Sequence, residues 1–233
     1  TWGENAHAFR LTPWHNDPVS DASGEAFYLR DEDSGHFWSP TPLPRRGATP
    51  YVSRHGFGYS VFEHAEGGIR SELWVYVAQD ASVKFSVLKV RNASGRPRRL
   101  SATGYVEWVL GDLRPKSAMH VATEVDPYSG ALYARNPYNT EFPDRVAFFD
   151  VDDANRTSTC DRTEFIGRNG TLRDPATGTE RVAAAVGTRA GLSWNAVRAF
   201  CVDRLAAHKA PRAIGGTATT GAAAMSRAKS FDV

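Results

Sequence analysis

The chain is 233 residues long with a formal net charge of +2, which allows one domain, or a domain with an appendage, and a full hydrophobic core. The charge is uneven: Thr1 to Pro175 holds 20 Lys and Arg against 23 Asp and Glu, and Ala176 to Val233 holds 8 against 3, so the first part has no basic footprint for nucleic acid. Cys160 and Cys201 are the only cysteines, too few for a disulfide framework or a zinc cluster, and a reducing compartment is the simpler expectation.

No apolar run reaches the roughly 18 residues of a membrane-spanning helix and no signal peptide opens the chain, so a soluble domain is expected. The first residue is Thr rather than Met, which reads as a fragment or a trimmed piece. The opening stretch TWGENAHAFRLTPWHNDPVSD lacks both the alternation of a strand and the 3.6-residue rhythm of a helix. Thr12-Pro13-Trp14 and Asn16-Asp17-Pro18 impose extended and turn geometry around an indole. An aromatic plate beside fixed amides and carboxylates suits a pyranose, which offers one C–H face and a rim of hydroxyls. A loop pinned by its tryptophan for purely structural reasons fits the same residues.

Glu25 to Arg30 is the first strand candidate. Trp38-Ser39-Pro40-Thr41-Pro42-Leu43-Pro44 is excluded from helices and central strands and is expected to run extended along a surface. From Tyr51 the chain reads as β: Tyr51 to Arg54, Gly58 to Ala65, Ile69 to Ala78, Val83 to Asn92, Leu100 to Leu110, His120 to Glu124, Ala131 to Asn136, Arg145 to Val151 and Arg162 to Ile166. Turn signals such as Glu66-Gly67-Gly68, Ser94-Gly95-Arg96-Pro97 and Asp126-Pro127 separate them. This spacing predicts an all-β fold, a large two-sheet antiparallel sandwich. Ile69 to Ala78 and Leu100 to Leu110 are apolar on both faces, so each is covered on both sides or awaits a neighbour. The Trp74 and Tyr76 face or the Trp108 face is therefore expected to leave an apolar patch prone to association.

Past Pro175 the vocabulary changes. Ala176 to Val233 contains 16 Ala and only three aromatic residues. Ser193 to His208 is a candidate helix with a rough apolar stripe, and Gly215 to Ala224 reads as disordered. The expected division is a β domain over 1–175 and an atypical basic tail over 176–233, poorly ordered, partly helical or out of frame.

Asp17, Asp21, Glu107, Asp112, Glu124 and Asp126 are the carboxylates weighed for general acid or base work, each with a quieter reading as a turn former or an outward strand residue. His7, His15, His36, His55, His64, His120 and His208 show no metal-ligand spacing, so no metal site is expected. Arg54-His55-Gly56-Phe57-Gly58-Tyr59 is glycine-bearing but lacks the strand-to-helix context of a phosphate loop. Arg96-Pro97-Arg98-Arg99 is expected at a solvated hairpin end.

The segments LTPWHNDPVSD, GEAFYLRDEDSGHFWSPTPLP, YVSRHGFGYSVFEH and YVEWVLG together resemble the N-terminal region of family-94 glycoside phosphorylases, above all the phosphorylase-like part of cyclic β-1,2-glucan synthases. The resemblance covers about Thr1 to Pro175. It implies a β-supersandwich that precedes a helical linker and an (α/α)6 barrel and lines the active-site rim and the dimer contact. It also implies inverting phosphorolysis of a β-glucoside, or its reverse, with inorganic phosphate as co-substrate and no other cofactor. The acid and the phosphate ligands lie in the barrel in that family, so no catalytic residue is carried over and the isolated chain is expected to be inactive. By the same resemblance the domain is bacterial and cytoplasmic, and its parent synthase is associated with the inner membrane. The implied sugar contacts are Arg10, Trp14, Asn16 and Asp17 in the leader and Arg114, Lys116 and His120 in Gly111 to Val121. A stand-alone carbohydrate-binding sandwich is the alternative.

Overall fold

The computed structural model describes residues 5, 7–14, 24–79, 81–151, 153 and 156–176, together with the backbone of 221–227. In chain order the elements are β1 (Glu25–Asp31), β2 (Phe37–Trp38), β3 (Val52–Gly56), β4 (Tyr59–Glu66), β5 (Ile69–Val77), β6 (Lys84–Asn92), β7 (Leu100–Glu107), α1 (Arg114–Ser117), β8 (Ala122–Val125), β9 (Leu132–Arg135), β10 (Val146–Phe149), β11 (Thr157–Asp161), α2 (Arg162–Ile166) and β12 (Gly221–Arg227). They form three antiparallel sheets with strand orders β11-β12-β7-β1-β2, β10-β9-β8 and β3-β4-β5-β6.

Alternation decides what faces inward. In the four-stranded sheet, Phe62, Leu73 and Leu88 share one register row, and that face meets Leu29 of β1, Leu100 and Val106 of β7 and Leu132 of β9 in one continuous core. The opposite face carries Tyr59, Trp74, Tyr76 and Phe85. Tyr59 stacks on Trp74 and Tyr76 on Phe85, with ring centroids 5.4 and 5.1 Å apart, and the Lys89 ammonium lies 5.0 Å above the Trp74 ring. These aromatic residues are half-buried or exposed, so an outward apolar face exists on β5. Trp108, the other half of that expectation, is only 4% exposed and packs in the main core. Its indole is interior because it falls on the main-core side, where Phe9 of the leader and Leu110 belong to the same cluster.

The other face of β7 is covered by a small cluster in which Ala26, Tyr28, Phe37 and Tyr105 pack against Phe165 and Ile166. Phe165 and Ile166 were expected on a strand over Arg162 to Ile166; the segment is instead the short helix α2. The reason is local. The Asp161 side chain accepts from the Thr163 and Glu164 amides at 2.7 and 3.4 Å, an N-cap that starts a helical turn, and Gly167 at φ 88° ends it. The adjacent pair Phe165-Ile166 then lies on the sheet as one apolar plug.

Three further expectations change. Trp38 and Ser39 are 1% and 0% exposed, so the proline-rich stretch begins inside the core before it reaches the surface. Arg98 is 7% exposed; its guanidinium donates to Asp31 Oδ2 at 2.7 Å and to the Gly67 carbonyl at 2.9 Å, joining the β1–β2 and β4–β5 turns. Arg99 pairs with Asp33 at 2.8 Å. Arg98 is thus a cross-link between hairpins, since a buried carboxylate requires such a partner, while Arg96 and Arg99 lie exposed at the hairpin end as expected. Finally, Gly221–Arg227 adds a strand between β7 and β11 where Gly215 to Ala224 was expected without regular structure. Backbone pairing to an open strand edge needs no particular side chain. The candidate helix Ser193 to His208 lies outside the described residues.

Candidate functional site

The site grows from the end of β7. The strand stops pairing with β1 at Val106, opposite Glu25, and the Glu107 amide makes the last bond to the Gly24 carbonyl at 2.8 Å. The leader then takes over as partner. The Val109 amide donates to the Leu11 carbonyl at 2.9 Å, and the Arg10 amide to the Gly111 carbonyl at 3.0 Å, an isolated antiparallel bridge. Leu110 between them has φ 47°, and it is the one non-glycine residue with positive φ among those described. That conformation is uncommon for a side chain branched beyond Cβ, and it redirects the chain into α1.

A groove of about 400 Å³ opens beside this turn, with His7 and Ala8 of the leader, Asp112, Lys116 and His120 around α1, and Tyr138, Asn139 and Glu141 after β9 in its lining. Tyr138, 70% exposed, stacks on His120 with centroids 4.3 Å apart and planes inclined by 29°. Lys116 donates to Asp112 Oδ2 at 2.7 Å. That ammonium holds the Asp112 carboxyl below the usual carboxylate range, with the Leu113 amide helping. Pro115 at the start of α1 suits a first helical turn, where no amide partner is needed.

Of the residues singled out in sequence, Lys116 and His120 line the groove, as does Asp112 from among the carboxylates. Arg10 joins their segment through its backbone, and its guanidinium carbon lies 5.4 Å from the centroid of the Trp14 ring. Trp14 is 61% exposed and is not part of the groove lining. Asn16 and Asp17 lie outside the described residues, as do His15 and Asp21. Arg114 turns elsewhere: its Nε donates to Glu107. Glu107, read in sequence as an ordinary outward strand residue, is 6% exposed and also accepts from the Tyr105 hydroxyl at 3.0 Å, with Arg162 Nε 3.6 Å away. It lies on the β7 face covered by α2. Asp126 is a turn former, accepting from the Ser129 amide at 2.7 Å.

Sequence reading missed His7, Tyr138, Asn136, Asn139 and Glu141. The signal for Asn136, Tyr138 and Asn139 was present in Asn136-Pro137-Tyr138-Asn139, whose residue types favour turns, but nothing local joins that turn to the leader 131 positions earlier in the chain. Among the described residues, no group of three or more His, Cys, Asp or Glu is arranged to hold a metal ion.

The family model described as "Glycosyl hydrolase 94, supersandwich domain" matches residues 1–215. The chain belongs to this family. The match runs beyond Pro175, where the motif resemblance stops. Among curated relatives, the chain is 38% identical over 176 residues to the cyclic beta-(1,2)-glucan synthase NdvB of Rhizobium meliloti (strain 1021), an alignment covering 75% of this chain and 6% of that protein. It is 29% identical over 148 residues to the N,N'-diacetylchitobiose phosphorylase of Vibrio furnissii, covering 62% and 18%. It is 35% identical over 85 residues to the solabiose phosphorylase of Paenibacillus borealis, covering 36% and 11%. The alignments thus take in less than a fifth of each of these relatives. No helix among the described residues is long and apolar enough to cross a membrane.

Proposed function

We propose that this supersandwich domain contributes a saccharide-facing surface to a glycoside phosphorylase-type enzyme of the cyclic β-1,2-glucan synthase kind, and that the groove beside Leu110 is that surface. The observation that carries the reading is the convergence of leader, α1 segment and Asn136–Glu141 loop on one groove with an exposed Tyr138–His120 wall. The ring face meets the C–H face of a pyranose. His7, Lys116, Asp112 and Glu141 surround it with donors and acceptors for hydroxyls. Support also comes from the glucan synthase and disaccharide phosphorylases among the relatives.

In this reading the chemistry belongs to an (α/α)6 barrel elsewhere in the parent, with inorganic phosphate as co-substrate. The chain alone then turns over nothing, and the domain helps shape the acceptor side and a homodimer contact. The parent works at the cytoplasmic side of the bacterial inner membrane. Trp14, with Arg10 beside it, extends the saccharide surface along the leader; Asn16 and Asp17 stay proposed sugar contacts on the family resemblance alone.

Calorimetric titration of sophorose and β-1,2-glucan into the chain tests the proposal. Binding in the millimolar range or tighter, weakened by Tyr138→Ala and Trp14→Ala, is the expected result. Silence with every β-glucan overturns the saccharide reading in favour of a scaffold, and phosphate release or uptake by the purified chain overturns the placement of the chemistry.

A further inference from the structure

The walls of the groove are joined by the side-chain amides of Asn136 and Asn139. The Leu110 carbonyl oxygen accepts from Asn136 Nδ2 at 3.0 Å and from Asn139 Nδ2 at 3.2 Å, which uses both of its lone pairs. The second amide hydrogen of Asn139 goes to the Ala8 carbonyl at 3.0 Å. The acceptor sides of the same two residues shape the loop that carries the aromatic wall. Asn136 Oδ1 accepts from the Tyr138 amide at 3.1 Å, and Asn139 Oδ1 accepts from the Glu141 and Phe142 amides at 3.0 and 2.9 Å. Asn136 is 4% exposed, and Gly111 leaves room beside it, since a Cβ there would lie 3.7 Å from Asn136 Nδ2 and 3.3 Å from Ser117 Cβ.

We infer that Asn139, seconded by Asn136, is a positioning residue that sets the width of the groove by joining the leader at the Ala8 carbonyl and the turn at the Leu110 carbonyl to the Tyr138 loop. Leu110 stays at φ 47° because its surroundings over-determine it, and the two amides supply that constraint. The three groove walls come from residues far apart in the chain, and Asn139 is the side chain bonded to all three: Ala8, Leu110 and its own loop. The inference rests on the saccharide reading for its ligand but not for its geometry.

Asn139→Asp separates this role from ordinary turn formation. Aspartate accepts from loop amides as well as asparagine does, but it has no hydrogen to donate and faces two carbonyl oxygens with a negative charge. A residue that only shapes its own turn tolerates the change. In the full 233-residue chain, hydrogen exchange at the Arg10 and Val109 amides is expected to quicken about tenfold, with Glu141 and Phe142 unchanged. Affinity for β-1,2-gluco-oligosaccharide is expected to fall about tenfold, the scale of one or two lost hydrogen bonds.

Unchanged exchange at Arg10 and Val109 overturns the inference whatever the titration gives. Quickened exchange with unchanged affinity overturns the positioning role and leaves a strut. A wild-type chain that binds no saccharide overturns the functional reading alone, and exchange then decides the geometry. If Asn139→Asp does not fold, Asn139→Ser, a shorter side chain that keeps an acceptor, is read by the same two measurements.

Discussion

Two proline-rich stretches that look alike in sequence take opposite roles. The loop from Ser39 to Pro50 has side chains engaged in holding it, Ser39 Oγ accepting from the Arg45 amide at 3.2 Å and the Thr41 and Thr49 hydroxyls donating to the Leu43 and Ala65 carbonyls. The Tyr51 hydroxyl donates to the Ser39 carbonyl at 2.9 Å and accepts from the Gly47 amide at 2.8 Å. Its ring lies flat on His64, centroids 3.8 Å apart. Glu66 accepts from the Ala48 amide at 2.8 Å and lies 3.2 Å from His64 Nε2 and 3.0 Å from His36 Nε2. The leader is held by its backbone at Ala8, Arg10 and Leu11 and by one side chain, Phe9, sunk in the main core, while His7 and Trp14 stay exposed. Proline and aromatic content mark a segment as irregular. Whether it is a strut or a surface depends on whether its side chains are used up in holding it.

Removing the central carboxylate of the strut is the strongest way to test that contrast. Glu66→Ala leaves the Ala48 amide and the buried His64 without their partner, and it is expected to cost about 3 kcal/mol in urea unfolding. Saccharide titration of the same variant is expected to match wild type; a loss of binding would merge the two regions into one unit. Next in size, Gly47→Ala drives a Cβ into the His64 ring and the Glu66 carboxylate, an overpacking worth about 1–3 kcal/mol.

A pH series sharpens the same point. Burial pushes the Glu66 carboxyl up, but the Ala48 amide and the two imidazoles together outweigh it and hold the pKa below its ordinary value. A depressed folded pKa contributes stability above the unfolded value, which is lost as pH falls through the folded one. Thermal midpoints are therefore expected to drop below about pH 4.5, less steeply in Glu66→Gln. A residual slope remains in that variant from Asp31, shifted the same way because Ser34 and Arg98 overcome its burial. The smallest stability effect belongs to the groove. Tyr138→Ala is expected to shift unfolding by no more than about 0.5 kcal/mol while weakening saccharide affinity about fivefold, the worth of one exposed ring face. A large loss of stability would make Tyr138 part of the scaffold.

The strands were legible because alternation and turn residues are local. Ile69 to Ala78 and Val83 to Asn92 lie within a residue or so of β5 and β6, and Gly67-Gly68, both at positive φ, announced the turn before β5. The Arg162 to Ile166 segment was misread because Phe165 and Ile166 look like strand residues unless the Asp161 cap before them is weighed. The end of β7 was misread because Val109 and Leu110 continue the apolar pattern while their partner changes from β1 to the leader. Of the groove, Lys116 and His120 were legible, through the resemblance of their segment. The wall at Tyr138 and the bonds at Asn139 were not.

Sequence alone determined the β character, the positions of most strands, and the supersandwich resemblance, since periodicity, turn chemistry and motif residues all act within a few positions. Tertiary structure decided which arginine is interior, which proline-rich stretch has its side chains engaged, and where three distant segments meet at the Asn139 side chain. Those outcomes depend on pairings between residues 12 to 131 positions apart, and no local pattern encodes which buried donor finds which acceptor.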